Sequence, residues 1–251
     1  MSLLRVESLC CSYEDKKDVL SQISFQAEAG ERIGLVGANG AGKSTLLKAL
    51  VGLVPVREGR ICVDGILLER STLADVRDRI GYVFQDSDSQ LFMATVEEDV
   101  AFGPRSSGLS EEQVQQRTER ALEMTGMEQL RHKSEYRLSG GEKKLASIAT
   151  VLSMTPQMLL MDEPSAALDP GNRRRLIRII NSLEGAMIIA SHDLDFILDT
   201  CSRVLLLDHG TIIRDDQART ILSDRNLMEE HGLELPLMLQ GVSQVRYENQ
   251  T

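Results

Sequence analysis

Residues 37–45 are the first part of the chain whose residue types and spacing could do chemistry. Residues 37–44 match the pattern G-x-x-x-x-G-K-[ST], in which glycines let backbone N–H groups turn toward an anion. A helix starting there would add its dipole to the anion site. Lys43 would then reach the β- and γ-phosphates of a nucleotide, and the Ser44 hydroxyl would bind Mg²⁺. The candidate phosphate contacts are Gly37, Asn39, Gly40, Ala41, Gly42, Lys43, Ser44 and Thr45.

Two adjacent carboxylates, Asp162 and Glu163, follow the apolar run at residues 158–161. In nucleotide-hydrolysing enzymes with a phosphate loop, an aspartate at the end of a strand holds the Mg²⁺ shell. Glu163 is then the candidate general base for a water that attacks the γ-phosphate. Without the phosphate loop, the same pair would equally suit two solvated carboxylates in a loop.

A second pair of glycines lies in the stretch LSGGEKK at residues 138–144. Ser139 and Glu142 fit a capping box that opens a helix. The cap itself does not require Gly140 and Gly141, which cost stability through the entropy of the unfolded chain. They do leave a bare helix N-terminus that a phosphate can approach closely. The simplest use of two anion sites for one nucleotide is a head-to-tail pair of subunits, in which each second loop closes over the partner's γ-phosphate.

The elements that must position these residues follow from apolar periodicity. Three short apolar runs, at residues 32–36, 158–161 and 186–190, are typical of parallel strands buried on both faces. Polar residues follow the carboxyl end of each run, where α/β folds place their sites. Helical patterns at residues 43–53 and 172–183 lie between the runs. We therefore predict an α/β core.

The remaining segments predict two additions to that core. Alternating stretches at residues 23–27 and 61–63, the second followed by an Asp-Gly pair, are typical of antiparallel hairpins. Residues 89–153 are mainly helical in pattern, with a capping box that opens a helix after Ser110. From about Asp216 onward the sequence predicts one short helix and a polar tail.

Composition narrows the possible partners and compartments. The formal net charge of -10 argues against nucleic acid as a partner, because phosphate backbones bind to basic surfaces. None of the four cysteines forms a C-x-x-C pair, so we expect reduced thiols in a cytosolic protein. No run approaches the roughly 20 apolar residues of a membrane span, so any role at a membrane would be that of a peripheral subunit.

Taken together, these motifs resemble those of the ATP-binding cassette (ABC) ATPases, over the chain to about Asp215. The resemblance implies a P-loop NTPase with a RecA-like parallel-sheet core, an N-terminal antiparallel β layer and an inserted α-helical subdomain. We predict an ABC ATPase domain at residues 1–220, with the helical subdomain at about 89–153, and a C-terminal tail at 221–251. The ordered motifs are Tyr13, residues 37–45, Gln85, residues 138–142, Asp162-Glu163, residues 166–169 and residues 191–193.

The resemblance assigns a role to each motif residue. Tyr13 would stack on adenine, although a tyrosine in a strand is more often ordinary packing. Gln85 would contact Mg²⁺ and the attacking water, and would sense the position of the helical lobe. His192 would hydrogen-bond the γ-phosphate and hold Glu163 and the water in place. Asp169 would act across the interface of a dimer.

The resemblance also implies ATP and Mg²⁺ as cofactors and a dimer as the working form. Ser44, Gln85 and Asp162 would ligate the metal. Both half-sites are present in this chain, which allows a homodimer and equally a heterodimer with a related ABC ATPase. The signature residues that would contact ATP on the other subunit are Ser139, Gly140, Gly141 and Glu142.

Two segments, at residues 84–92 and 95–104, are similar to the ATPases of energy-coupling-factor (ECF) importers. In those importers a transmembrane subunit inserts coupling helices beside the glutamine loop, which would place this chain at the cytoplasmic side of the cell membrane. Residues 191–198 and 231–236 look closest to the cobalt and nickel members. Ser87 stands where ECF ATPases usually have proline, and Leu145 where many cassettes have arginine. We expect a less rigid loop at the first position and a weaker ion pair at the second.

Other functions remain open from the sequence. One is an ECF ATPase that serves a vitamin transporter, and another is a soluble ABC protein that acts on ribosomes or DNA. Ribosome-acting members usually fuse two cassettes, and chromosome-organising members carry a long coiled coil that is not seen here. A slowly hydrolysing nucleotide switch is disfavoured because Glu163 and His192 are both suited to turnover.

Overall fold

The structure is a computed structural model that describes residues 2–13, 16–166 and 168–240. These residues form a four-stranded sheet, a six-stranded sheet and a helical lobe inserted between two strands of the larger sheet. The strands are β1 (Leu4–Tyr13), β2 (Lys16–Ala27), β3 (Arg32–Val36), β4 (Val56–Val63), β5 (Ile66–Leu67), β6 (Ile80–Val83), β7 (Met158–Asp162), β8 (Ala186–Ala190), β9 (Arg203–Asp208) and β10 (Thr211–Gln217).

Helices cover the larger sheet and build the inserted lobe. All ten α-helices of the described ranges follow the first three strands, and the longest has 15 residues. They are α1 (Lys43–Leu50), α2 (Leu73–Arg77), α3 (Val96–Ser106), α4 (Glu111–Thr125), α5 (Gly140–Leu152), α6 (Pro170–Ser182), α7 (Leu194–Thr200), α8 (Ala218–Ser223), α9 (Arg225–Glu230) and α10 (Leu237–Gln240).

The larger sheet has the strand order β10-β9-β3-β8-β7-β6, and only β10 runs antiparallel to its neighbour. The three apolar runs of the sequence form its centre as β3, β7 and β8, which confirms the predicted parallel core. Every residue of β7 and β8 is buried. Because parallel strands share a direction, their carboxyl ends meet at one edge of the sheet.

The smaller sheet, β2-β1-β4-β5, is antiparallel and confirms the predicted β layer. Asp64 (φ 49°) and Gly65 (φ 77°) join β4 to β5, as expected of an Asp-Gly turn with both residues left-handed. One apolar cluster runs from this sheet through α1 to the larger sheet and includes Leu20, Leu47 and Ile188. Burial of this shared core fixes the β layer against the phosphate loop.

The inserted lobe consists mainly of α3, α4 and α5, in agreement with the helical pattern predicted for residues 89–153. Each of the three helices opens with a complete capping box, and the one at Ser110 and Gln113 is where the sequence predicts it. Within the described ranges, no helix combines the length and the apolarity that crossing a bilayer requires.

Two helix boundaries differ from the predicted ones for local reasons. The first helix ends at Leu50, not at residue 53, because Gly52 (φ 66°) is left-handed and the N–H of Leu53 bonds the Lys48 carbonyl at 2.9 Å. The helix predicted from residue 172 already begins at Pro170, which is pre-set for the first helical position.

The prediction of one short helix after Asp216 is wrong. The chain forms α8, α9 and α10 instead, and Ile221, Leu222 and Met228 belong to the same apolar cluster as the helical lobe. Burial stabilises α8 and α9, which would be marginal alone, whereas the N–H groups of Leu237 and Met238 in α10 donate to Asp195. Residues 241–251 of the predicted tail lie outside the described residues.

Candidate functional site

The phosphate loop connects the end of β3 to the start of α1. A Cβ on Gly37 would lie 2.1 Å from the Leu207 carbonyl oxygen, so the loop passes against β9 only without a side chain. Gly42 precedes the helix with φ 110°, a conformation that other residues rarely adopt. These two glycines aim the free N–H groups at the N-terminus of α1 toward one point.

A cavity of about 500 Å³ opens above this loop, within the size range of small-molecule sites. It brings together most of the site residues predicted from the sequence, together with Val19, which the sequence did not indicate. The lining residues are Tyr13, Val19, Asn39, Gly40, Gly42, Lys43, Ser44, Thr45, Gln85, Glu163 and His192.

Lys43 lies buried at the base of this cavity. Its ammonium donates to the Gly37 carbonyl at 2.7 Å and to the Ala38 carbonyl at 3.1 Å. Burial lowers the pKa of Lys43 from its ordinary value, and the carboxylates of Glu163 and Asp162 oppose that shift. An anionic ligand at the loop would therefore stabilise the charged form of the lysine.

The carboxylate of Asp162 is buried at the end of β7 and is held at both oxygens. The Ser44 hydroxyl donates to Oδ1 at 3.0 Å, and the Tyr82 hydroxyl donates to Oδ2 at 3.2 Å. Burial, followed by the nearby Asp162 charge, raises the pKa of Tyr82, so the phenol stays protonated and remains a donor. Hydroxyl and carboxylate oxygens are the ligands that Mg²⁺ prefers, so the predicted metal residues fit that ion.

The sequence reasoning did not identify Tyr82. Tyr82 lies on β6, the edge strand beside β7, and its backbone pairs with Leu160, two residues before Asp162. The contact depends on that strand pairing, which no local pattern indicates.

Glu163 and His192 form a hydrogen-bonded pair at the same edge of the sheet. Glu163 has a left-handed backbone (φ 49°) fixed by a 2.8 Å bond from its N–H to the Ala190 carbonyl. Its Oε2 lies 2.8 Å from Nδ1 of His192, and it also accepts from the Ser191 hydroxyl at 3.2 Å. An ionised carboxylate only accepts, so Nδ1 carries a proton toward Glu163, and Nε2 is left to face a ligand.

Two further predicted residues lie toward the open side of the cavity. The Tyr13 hydroxyl is 3.4 Å from the Thr45 hydroxyl, and the Tyr13 ring is partly exposed, as a platform for a planar ligand would be. Gln85 is exposed in the cavity wall, two residues after the end of β6.

The signature residues do not join the described residues that line this cavity. Ser139 and Glu142 form the predicted capping box, with the Ser139 N–H donating to Glu142 Oε2 at 2.7 Å. A Cβ on Gly140 would meet nothing within 4 Å, whereas one on Gly141 would lie 2.3 Å from Nδ2 of Asn172. Gly140 therefore leaves the helix N-terminus open, and Gly141 is required by packing inside the chain.

Asp169 lies apart from the cavity as well. Its Oδ1 accepts from the N–H groups of Gly171 and Asn172 at 2.8 and 3.0 Å, so it caps α6. The Asn172 amide donates to Asp169 Oδ2 at 2.6 Å. Because Gly141 of α5 packs against the same amide, the starts of α5 and α6 lie side by side. Ala167, in the predicted 166–169 motif, lies outside the described residues.

The sequence profile of the ABC transporter family matches residues 20–166 of this chain. The matched segment contains the phosphate loop, the signature and the paired acids Asp162 and Glu163. The chain belongs to the ABC transporter family. It is an ABC ATPase, as the motif order predicts.

Individual proteins resemble this ABC ATPase over most of its length. A Gloeobacter violaceus protein named as an ABC transporter ATP-binding protein is 48% identical over 238 residues, which are 94% of this chain and 98% of the relative. The energy-coupling factor transporter ATP-binding protein EcfA1 of Methanospirillum hungatei is 35% identical over 250 residues, covering 98% and 90%. The structure of cbiO1 from Clostridium perfringens, part of the ABC transporter complex cbiONQ, matches with a TM-score of 0.83 and 33% identity, covering 98% and 99%.

The two departures from the usual ABC pattern have local explanations. Ser87 opens a 3₁₀ turn that Asp86 caps by accepting from the Asp88 N–H at 3.0 Å. The polar contacts of Asp86 thus fix the loop at Ser87, the position where a proline ring would restrain the backbone in ECF ATPases. Leu145 is fully buried in the core, and Lys143, two residues earlier, makes an ion pair with Asp88.

The Tyr82–Asp162 contact generates a prediction. Tyr82→Phe removes a donor to a buried carboxylate, so the free energy of unfolding should fall by about 1–2 kcal/mol. The Mg²⁺ concentration needed for half-maximal ATPase activity should rise several-fold, because one carboxylate oxygen of Asp162 is no longer oriented. Urea unfolding and a Mg²⁺ titration measure the two effects. Tyr136→Phe, at a tyrosine that is 86% exposed, is the control and should change neither. If Tyr82→Phe and Tyr136→Phe gave the same stability and the same Mg²⁺ dependence, Tyr82 would have no role in orienting Asp162.

Proposed function

We propose that this ABC ATPase is the nucleotide-binding subunit of an ECF-type importer of cobalt or nickel. ATP would bind with its phosphates on the 37–45 loop and its adenine on Tyr13. The observation that carries the proposal is the convergence of Lys43, the Ser44–Asp162 pair and the Glu163–His192 pair on one cavity. Cation, metal-binding oxygens and general base are the groups that hydrolysis of the β–γ bond requires.

The geometry supports a direct attack by water on the γ-phosphorus. Glu163 accepts the proton of the water as the new P–O bond forms and the bond to the β-phosphate oxygen breaks, giving ADP and phosphate. His192 orients Glu163 through Nδ1, and with a proton on both ring nitrogens it would donate from Nε2 to a γ-phosphate oxygen. Lys43 stabilises negative charge on the β- and γ-oxygens. Mg²⁺, which Ser44, Asp162 and Gln85 would hold, supplies further charge neutralisation when bound.

The separation of the signature from the cavity supports a head-to-tail dimer. The bare start of α5 at Gly140 offers N–H groups and a helix dipole to an anion, yet the cavity of the same chain does not use them. A second subunit placed head to tail would bring its own α5 over the γ-phosphate. Two identical chains satisfy this arrangement, and a related ABC subunit would satisfy it as well.

A surface on the helical lobe supports docking of integral membrane subunits. Phe92 and Phe102 are 62% and 42% exposed, and their rings meet edge to face with centroids 5.0 Å apart. The turn before α3 that carries Phe92 is fixed by buried Asp99, which accepts from the N–H groups of Phe92 and Met93 at 3.0 Å. A rigid exposed aromatic pair is typical of an interaction site. The ECF part of the proposal is supported by the similarity to EcfA1. The cobalt or nickel part is supported by the resemblance at residues 191–198 and 231–236.

Glu163→Gln tests the catalytic and dimer parts of the proposal together. The amide keeps the shape of the side chain but accepts no proton, so turnover should fall at least a hundredfold. The variant should then run as a dimer on gel filtration with ATP and Mg²⁺, and as a monomer without nucleotide. Adding Lys43→Ala to the same chain should abolish the dimer by removing phosphate binding. A Glu163→Gln chain that stays monomeric with ATP would contradict the homodimer.

Substitutions at the two signature glycines distinguish an effect on dimer closure from an effect on folding. In the Glu163→Gln background, Gly140→Ala should weaken ATP-dependent dimerisation about tenfold, because its methyl group faces only the partner's phosphate. Its unfolding free energy should stay the same or rise by about 0.5 kcal/mol. Gly141→Ala must displace the Asn172 amide and should lower stability as well. Gel filtration over an ATP series and urea unfolding measure both. If the Gly140→Ala variant dimerised at the same ATP concentration as the Glu163→Gln parent, Gly140 would not contact the partner's phosphate.

The membrane partners are tested by purification from native membranes in gentle detergent. Multi-span membrane proteins should accompany the tagged chain, and their sequences would separate a cobalt or nickel importer from a vitamin importer. Phe92→Ser/Phe102→Ser should lose them while the ATPase activity of the isolated chain stays within twofold, since neither ring lines the ATP cavity. Recovery of only ribosomal or DNA-associated proteins would contradict transport and leave the ATPase chemistry intact.

A further inference from the structure

Lys144 is a buried lysine on α5 that does not line the ATP cavity. The residue is 3% exposed, and its ammonium donates to the Phe84 carbonyl at 3.0 Å and the Gln85 carbonyl at 2.7 Å. Burying an ammonium without hydrogen-bond acceptors costs free energy, so Lys144 can be buried because these two carbonyls accept its hydrogen bonds. The contact joins the signature helix to the backbone that carries Gln85.

The rest of this backbone segment is bound to the same helix. Gln90 donates from Nε2 to the Ser147 carbonyl at 2.6 Å and to the Thr150 hydroxyl at 2.8 Å. Its Oε1 accepts from the Phe84 N–H at 3.1 Å. Residues 84–90 are therefore held to α5 at both ends, with Lys144 at the end nearest Gln85.

The start of α5 lies a little over one turn from Lys144. It carries Ser139 and Gly140, which under the proposed function contact the partner's ATP. Gln85 lines the ATP cavity of its own chain. A single helix with one buried cation thus connects the residues that serve two different ATP molecules.

We propose that Lys144 is a positioning residue that couples the two ATP sites of the dimer. By holding the carbonyls of Phe84 and Gln85, it keeps Gln85 in register with the signature end of α5. Closure of the signature over the partner's ATP then moves Gln85 into its own site. This inference rests on the proposed function, because it requires the head-to-tail dimer.

Lys143 is the matched control on the same helix. Its ammonium pairs with the side chain of Asp88, which is 64% exposed, and not with the backbone of Gln85. Ion pairs with an exposed partner contribute little. The two neighbouring lysines therefore differ in burial and in what they hold, while both lie just after the signature.

The experiment compares Lys144→Met, Lys144→Gln and Lys143→Met in full-length protein. Lys144→Met should lower kcat about tenfold with the KM for ATP within twofold, because the carbonyls lose their donor while the phosphate loop is intact. Lys144→Gln keeps an N–H donor and should recover part of kcat. Lys143→Met should stay within twofold of the parent. In the Glu163→Gln background, Lys144→Met should need about tenfold more ATP to dimerise, with unchanged ATP affinity of the monomer.

Three outcomes would overturn the proposal. The first is a Lys144→Met chain with kcat and ATP-dependent dimerisation within twofold of the parent. The second is an equal loss in Lys143→Met. The third is a loss of monomer ATP affinity and thermal stability in parallel with kcat, which would make Lys144 only a structural residue. Failure of the Glu163→Gln chain with an intact Lys144 to dimerise is a separate result that contradicts the dimer itself.

Discussion

The shared carboxyl edge of β3, β7 and β8 is the constraint on which the active site depends. These strands are buried on both faces, so their polar side chains emerge only where the strands end. Register then decides which groups meet: Asp162 pairs with Ala190, and the Glu163 N–H bonds the Ala190 carbonyl. The backbone position of Ala190 thus fixes Asp162, the proposed metal-binding acid, Glu163, the proposed general base, and the start of the loop that carries His192.

The second glycine loop obeys two constraints at once. Gly141 has no side chain because α5 starts against Asn172, whose amide holds the cap of α6 at Asp169. Among the residues that the structure describes, nothing lies within 4 Å of a Cβ on Gly140, so packing there does not require a glycine. Gly141 therefore has a packing reason of its own, and its predicted contact with a phosphate stays a prediction. The physical argument for a partner rests on Gly140 alone.

Apolar periodicity and capping motifs predict most of the helices and strands, because both depend only on residues that are close in sequence. The limits of β8 and the cap of α4 at Ser110 follow from periodicity and capping, and the structure has both. The Tyr82–Asp162 bond and the helices around Ile221 and Met228 depend on packing between distant segments. Periodicity carries no information on which strand is the neighbour, so these features need the tertiary structure.

Lys144 and Leu145 are neighbours on the signature helix α5 but have different surroundings. The contrast shows how the apolar core limits where this helix can carry a charge. Successive residues on a helix point about 100° apart, so one of the two can face the apolar core while the other faces the glutamine loop. Leu145 occupies the core position here, among apolar side chains, where an unpaired charge would be costly. The cation therefore belongs at Lys144, where two backbone carbonyls accept it. Because Lys144 binds the backbone, the link is independent of the side chains of Phe84 and Gln85, and the Gln85 side chain can line the cavity above the phosphate loop.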